Sequence, residues 1–279
     1  MDNLGLKKLK TTPSVGLSQS NKIQKRIHMD LHLQGKTAII TGASQGLGRA
    51  IAKRLAQEGV ELTLAARRLP LLESLSTEIE ALGGKKPTLV TVDLYQKDSP
   101  QYVADIAKKQ MGRIDILINA AGGSRMIEFD APVEVWDEGI LLNFSRLREL
   151  THAVVPGMKE KGYGRIVNLT GSSEPRSINV ANAAKAAVHV WSKALSHEFA
   201  SFGITINCLQ PGRIMTEQIA KMYPTPEARQ HFIAGNIPAA RFGEPDELAT
   251  LATFLCSPLA AYITGTVIPV DGGMSRFAF

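Results

Sequence analysis

The sequence predicts an α/β fold, a doubly wound parallel sheet with helices on both faces in a single domain. Three observations carry this. Short apolar runs alternate with stretches of helical spacing from Leu31 onward. The runs are apolar throughout and do not alternate with polar residues, which is how strands buried on both faces read. A glycine-rich turn separates the first run from the first helix. Right-handed crossovers then give the doubly wound topology.

The elements follow in order. Thr37–Thr41 is a strand, and a helix from Leu47 to Glu58 closes at Gly59. Val60–Ala65 is a strand, Pro70–Leu82 a helix stopped by Gly83 and Gly84, and Thr88–Val92 a strand. A helix near 101–110 precedes the strand Ile114–Ile118, and 133–161 contains a long helix. Gly164–Leu169 is a strand, Ala181–Phe202 a helix and Ile204–Leu209 a strand. A long irregular stretch leads to a helix over Pro245–Cys256 and a last strand around Thr266–Val270. No repeat and no linker divides the chain.

Composition excludes several classes. Of 279 residues, 44% are hydrophobic and 21% charged, with only two cysteines, which rules out a collagenous, wholly disordered or disulfide-stapled chain. No apolar run approaches the roughly 18 residues of a membrane span, so no membrane partner is expected. Cys208 and Cys256 have no metal-ligand spacing, so no metal is expected and a reducing, cytoplasmic location is the default. The net charge of +6 is uneven: residues 1–28 hold Lys7, Lys8, Lys10, Lys22, Lys25 and Arg26 against Asp2 alone. The remainder is close to neutral, which argues against nucleic-acid binding. Residues 1–28 read as a disordered basic leader, with the domain spanning 29–279. An acid-poor, Ser/Thr/Lys-rich organelle-targeting segment is the alternative.

The glycine-rich turn is Thr41-Gly42-Ala43-Ser44-Gln45-Gly46-Leu47-Gly48. Gly42 allows a tight exit from the strand, Gly46 lets backbone N–H groups approach a pyrophosphate, and Gly48 allows the helix to pack on the sheet. A purely structural turn is the bland alternative, and the strand–turn–helix context favours a dinucleotide. An NAD site would place an acid about 20 residues further on, for the ribose 2′-hydroxyl. The second strand ends Ala66-Arg67-Arg68 instead. A guanidinium there matches a 2′-phosphate, so NADP(H) is the expected cofactor; two solvated arginines are the alternative.

With Asn119-Ala120-Ala121-Gly122, Pro211-Gly212, Ile263-Thr264-Gly265 and Val270-Asp271-Gly272-Gly273 in order, the chain resembles the short-chain dehydrogenase/reductase family. The resemblance runs from about Leu33 to the C-terminus and is to the classical subgroup that includes the 3-oxoacyl-carrier-protein reductases. It implies a seven-stranded Rossmann-type sheet, a nicotinamide cofactor and a homo-oligomer, a tetramer or dimer built partly on the two long helices. It also implies an adenine contact at Asp93-Leu94. Cofactor contacts carried over with the motifs include Asn119, Ala120, Gly122, Lys185, Pro211, Gly212, Ile214 and Thr216.

The catalytic pattern departs from the family. Asn143 matches the family's helix Asn and Lys185 its Lys, which holds the nicotinamide ribose and lowers the pKa of a Tyr four residues earlier. Here that position is Ala181, and no Tyr lies between Gly164 and Lys185. Family spacing places the substrate-orienting Ser at Gly171, with Ser172 and Ser173 following as candidates. A turn or helix-cap hydroxyl is an equal reading for both serines. A water polarised by Lys185 or a serine could take the proton role. Glu174, Arg176 and His189 are minor candidates for the same role. Three classes stay open: an NADP(H)-dependent carbonyl reductase or alcohol dehydrogenase with an altered proton relay, a non-redox lyase or isomerase on this scaffold, and a silent NADP(H) binder. Arg213, Lys221, Arg229 and His231 would favour an anionic or acyl-thioester substrate if they face inward. Phe277-Ala278-Phe279 suggests docking on a neighbouring subunit, with a frayed end as the alternative.

Overall fold

The computed structural model describes residues 29–124 and 126–277. The expectations for residues 1–28 and for Ala278 and Phe279 lie outside these. Seven parallel strands form one sheet in the order β3-β2-β1-β4-β5-β6-β7. They are β1 Thr37–Thr41, β2 Glu61–Ala66, β3 Thr88–Thr91, β4 Ile116–Asn119, β5 Gly164–Leu169, β6 Ile204–Pro211 and β7 Val267–Val270. β1 and β4 are buried along their whole length, as uniformly apolar runs require.

Helices α1 Gly46–Gln57, α2 Leu69–Ala81 and α9 Pro245–Leu255 share one core with one face of the sheet, through residues such as Ile40, Leu55, Leu75 and Leu248. On the other face α3 Ser99–Met111, α5 Arg146–Lys161 and α6 Val180–Phe199 pack on Ile39, Leu117 and Ile166. The predicted long helix is present but not uniform. α4 Val133–Ile140 passes into a π-helical turn at Leu141–Ser145 before α5. Such turns recur at functional sites, and this one holds Asn143.

The irregular stretch predicted after β6 contains two helices, α7 Glu217–Met222 and α8 Pro226–Asn236. Thr216 and Thr225 cap them, accepting from the N–H groups of Ile219 and Ala228. Both helices are short and neither buries a residue fully, so no apolar periodicity announces them. Among the described residues no helix is long and apolar enough to cross a membrane. Both cysteines are free and buried, and burial pushes their thiols up to about 11 for Cys208 and about 12 for Cys256.

Candidate functional site

The strands end at a cleft of about 850 Å³ that crosses the point where the sheet order reverses around β1. Its floor is the glycine-rich turn. Gly42 has φ +64°, and a Cβ there would stand 2.8 Å from the backbone O of Ala120 and N of Ala121. A Cβ on Gly48 would stand 2.6 Å from the backbone O of Gly42. Thr41 Oγ1 accepts from the N–H groups of Ala120 and Ala121, so the two loops are fixed together. No side chain caps α1, and Gly46, Leu47 and Gly48 line the cleft at its N-terminus. That is an open anion cradle.

At one end of the cleft, Arg68 Nη2 donates to Gln45 Oε1 at 2.5 Å and approaches Ser44 Oγ at 3.4 Å. Arg67, Asp93 and Leu94 line the same end. Sequence reasoning missed Val92 and Tyr95 beside them. It also missed Arg146, whose guanidinium holds the carbonyls of Leu94 and Tyr95 from α5. A basic residue buried on an otherwise apolar helix face was the available signal.

The other end is built around α6. Asn179 Oδ1 caps the helix by accepting from the N–H of Ala181, and its Nδ2 donates to Ser124 Oγ. Gly139 has no side chain where Val180 packs, which brings α4 and α6 together. Asn143 Nδ2 donates to the Gly139 carbonyl at 2.9 Å while its Oδ1 accepts from the Gly123 N–H at 3.2 Å. Lys185 reaches the cleft past two glycines: its Nζ is 3.8 Å from where a Gly122 Cβ would stand, and its Cδ is 3.4 Å from that of Gly171. Lys185 makes no hydrogen bond or ion pair among the described residues, and burial holds its ammonium below the ordinary lysine range. Ala181, one turn earlier, lines the cleft with its methyl group.

The two serines separate. Ser172 lines the cleft, its Oγ accepting from the Glu174 N–H with its own proton free to point outward. Ser173 does not line it and donates to Gln210 Oε1. Asn119 also stays out of the cleft: it donates to Asn168 Oδ1, and Asn168 donates to Ser192, a polar ladder tying β4, β5 and α6. Asn143 stands behind the wall as a support. Every other proposed cofactor contact lines the cleft, including Ala120, Pro211, Gly212, Ile214 and Thr216. His189 points to Thr170, with Nε2 2.8 Å from Oγ1. Glu174 Oε1 accepts from the N–H groups of Arg276 and Phe277, pinning the C-terminal segment to the serine loop. Arg176 and Arg213 line the mouth, whereas Lys221, Arg229 and His231 do not.

The glycine cradle, the uncapped helix and the Arg68 corner together fit a dinucleotide phosphate. A family model described as enoyl-(acyl carrier protein) reductase matches residues 42–275, which includes all of these features. The chain belongs to the short-chain dehydrogenase/reductase family. Among relatives in this family, the 7α-hydroxysteroid dehydrogenase of Escherichia coli K12 is 32% identical over 88% of this chain and 96% of its own. The 3-oxoacyl-acyl-carrier-protein reductase of Thermotoga maritima is 34% identical over 88% and 99%. The structure of L-sorbose reductase from Gluconobacter frateurii, complexed with NADPH and L-sorbose, superposes with a TM-score of 0.84 at 31% identity, covering 89% of this chain and 100% of that one. In this short-chain dehydrogenase/reductase Lys185 lies on α6 and Asn143 on the π-helical turn between α4 and α5. Ala181 and Gly171 line the cleft beside Lys185.

Proposed function

We propose that the protein is an NADP(H)-dependent oxidoreductase acting on a small carbonyl or alcohol substrate, with a proton relay that lacks the family Tyr. The observation that carries it is the joint presence in one cleft of Arg68 beside Ser44 and Gln45 at one end and of an unpartnered Lys185 at the other. When bound, the nicotinamide cofactor supplies or accepts the hydride. The chain's own residues bind and orient. Arg68, with Arg67 beside it, holds a 2′-phosphate. The N–H groups opening α1 take the pyrophosphate, and Lys185 takes the nicotinamide ribose hydroxyls. Asn143 fixes the Gly123 N–H and so the loop behind the ribose. Ser172 donates its hydroxyl to a substrate oxygen. With alanine at 181, the proton reaches that oxygen from a water in the space beside Lys185.

Burial lowers the pKa of Lys185, so its ammonium gives up a proton to such a water more readily than an exposed lysine would. The relatives' names support the redox reading, since they are dehydrogenases and reductases. A silent NADP(H) binder is the second reading, favoured by the methyl of Ala181 where a general acid would act. Nicotinamide absorbance over a panel of ketones and 3-oxoacyl thioesters separates the two. Consumption of NADPH supports turnover. Tight NADPH binding with no consumption, even after Ala181→Tyr, supports the silent binder. Assembly into a homo-oligomer through the long helices α5 and α6 belongs to the same proposal. It is supported by Val190 on α6, which is 75% exposed, and is measured by sedimentation.

A further inference from the structure

Two arginines that line the cleft, Arg176 and Arg213, both contact α8. Arg176, in the loop between β5 and α6, donates from Nη1 to Asn236 Oδ1 at 2.6 Å. The amide of Asn236 is fixed, because its Nδ2 donates to the Phe232 carbonyl at 2.8 Å. Arg213, after β6, is half-buried and lies over the Phe232 ring at 5.1 Å, with its Nε 3.4 Å from Tyr223 Oη. Phe232 and Asn236 are four residues apart on α8, about 5–6 Å between Cβ atoms, so the two arginines contact neighbouring turns of one helix face.

Two of the acids that line the cleft, Glu174 and Asp93, accept hydrogen bonds from backbone N–H groups. Glu174 gives Oε1 to the Arg276 and Phe277 N–H groups. Glu217 lies beside Gly46, with Oε2 3.7 Å from where a Cβ would stand there. Asp93 is at the far end, its Oδ1 accepting from the Tyr95 N–H. Among the described residues no carboxylate comes within 4.0 Å of Arg176 or Arg213. Neither guanidinium has a carboxylate to pair with among the described residues, and an anion in the cleft would supply one. Met126, Met222 and Tyr223 line the same cleft as Ser172 and the two arginines.

We propose that Arg176 and Arg213 form a carboxylate site, so that the substrate is an oxo acid with an apolar stretch between its carboxylate and its carbonyl. This rests on the carbonyl reading above and narrows it. Arg213 is the principal anchor, since stacking on Phe232 pre-organises its planar fork, while Arg176 is exposed and contributes less.

The test starts with NADPH titration of wild-type, Arg213→Gln, Arg213→Lys and Arg176→Gln proteins, followed by fluorescence and with thermal melts as a check on folding. Unchanged NADPH affinity shows that the cofactor site stands whatever follows. Straight-chain oxo acids of increasing length, their methyl esters and a 3-oxoacyl coenzyme A thioester are then compared. The readouts are NADPH consumption and, independently of turnover, calorimetric binding to the protein–NADP+ complex. The expected result is that one acid binds better than its ester by on the order of 10- to 100-fold, and that Arg213→Gln removes this preference through KM. Arg213→Lys restores part of it, and added salt weakens it. Equal binding of acid and ester overturns the proposal, as does an equal loss of both in Arg213→Gln. An arginine-dependent preference for the thioester alone overturns it too, because the anion recognised would then be a phosphate. Absence of NADPH binding in the wild type sinks the cofactor reading instead, and the calorimetry repeated on the free protein still decides the anion site.

Discussion

Ala181 and Lys185 stand one helical turn apart on α6, and both line the cleft, so a methyl group forms the wall beside the lysine. Among the described residues the half-buried Lys185 has no hydrogen-bond or ion-pair partner.

Ala181→Tyr is the direct probe of this vacancy. A positioned general acid contributes roughly 10²- to 10⁴-fold, so the substitution is expected to raise kcat for carbonyl reduction by about 10²-fold. Steady-state nicotinamide absorbance checks it. No gain, in a variant that folds and binds NADPH, would mean that another group already supplies the proton.

Lys185 has a stability cost with a definite pH signature. Burial lowers its pKa in the folded protein from the ordinary 10.5. Between the lowered value and 10.5 the unfolded chain binds a proton that the folded one does not, so stability rises with pH across that window. Lys185→Met is therefore expected to raise the Tm of the cofactor-free protein at pH 7 by a few degrees, with the difference shrinking towards pH 10.5. The same variant is expected to bind NADPH more weakly. A fall in Tm would show that Lys185 is already compensated.

On the proposed function Arg68, beside Ser44 and Gln45, sets cofactor choice. Arg68→Ala is expected to weaken NADPH binding by on the order of 10- to 100-fold while leaving NADH nearly unchanged, because only the 2′-phosphate loses a charged partner. Fluorescence titration with both nucleotides measures it. Equal loss for the two would place Arg68 elsewhere on the cofactor, and no loss would shift the role to Arg67.

Gly48 tests the cradle itself. A methyl there meets the Gly42 carbonyl at 2.6 Å and the Ala120 Cβ at 3.3 Å, so no flexible group is present to yield. Gly48→Ala is expected to lower stability by about 1–3 kcal/mol and to reduce NADPH affinity, read by denaturant unfolding and titration. Gly83→Ala meets no atom within 4 Å but sits at φ +85°, so it strains the backbone without touching the cradle. It is expected to lower stability while preserving cofactor affinity.

Much of the fold was legible because each strand is a continuous apolar run and each crossover helix closes at a glycine or polar break. The boundaries of β1 and β5 were read correctly from the sequence. The glycine-rich turn was legible for a related reason: Gly42, Gly46 and Gly48 are local requirements of one turn. What failed was non-local or weakly patterned. α7 and α8 were read as irregular, since neither buries a residue fully and their start signals, Thr216 and Thr225, are single caps. The sequence favoured Ser172 over Ser173 only slightly, because what draws Ser173 away is Gln210 on β6, far off in the chain.

The sequence by itself determined the doubly wound sheet, the glycine-rich cradle, the basic end of β2 and the alanine four residues before Lys185. These depend on neighbours in the chain, so spacing encodes them. The tertiary structure alone decided that Asn119 and Ser173 turn into structural hydrogen bonds, that Lys185 lies unpartnered between Gly122 and Gly171, and that Arg176 and Arg213 converge on α8. Each of these joins segments far apart in the chain. Their meeting is set by how helices pack on the sheet, and no local pattern of residue types records it.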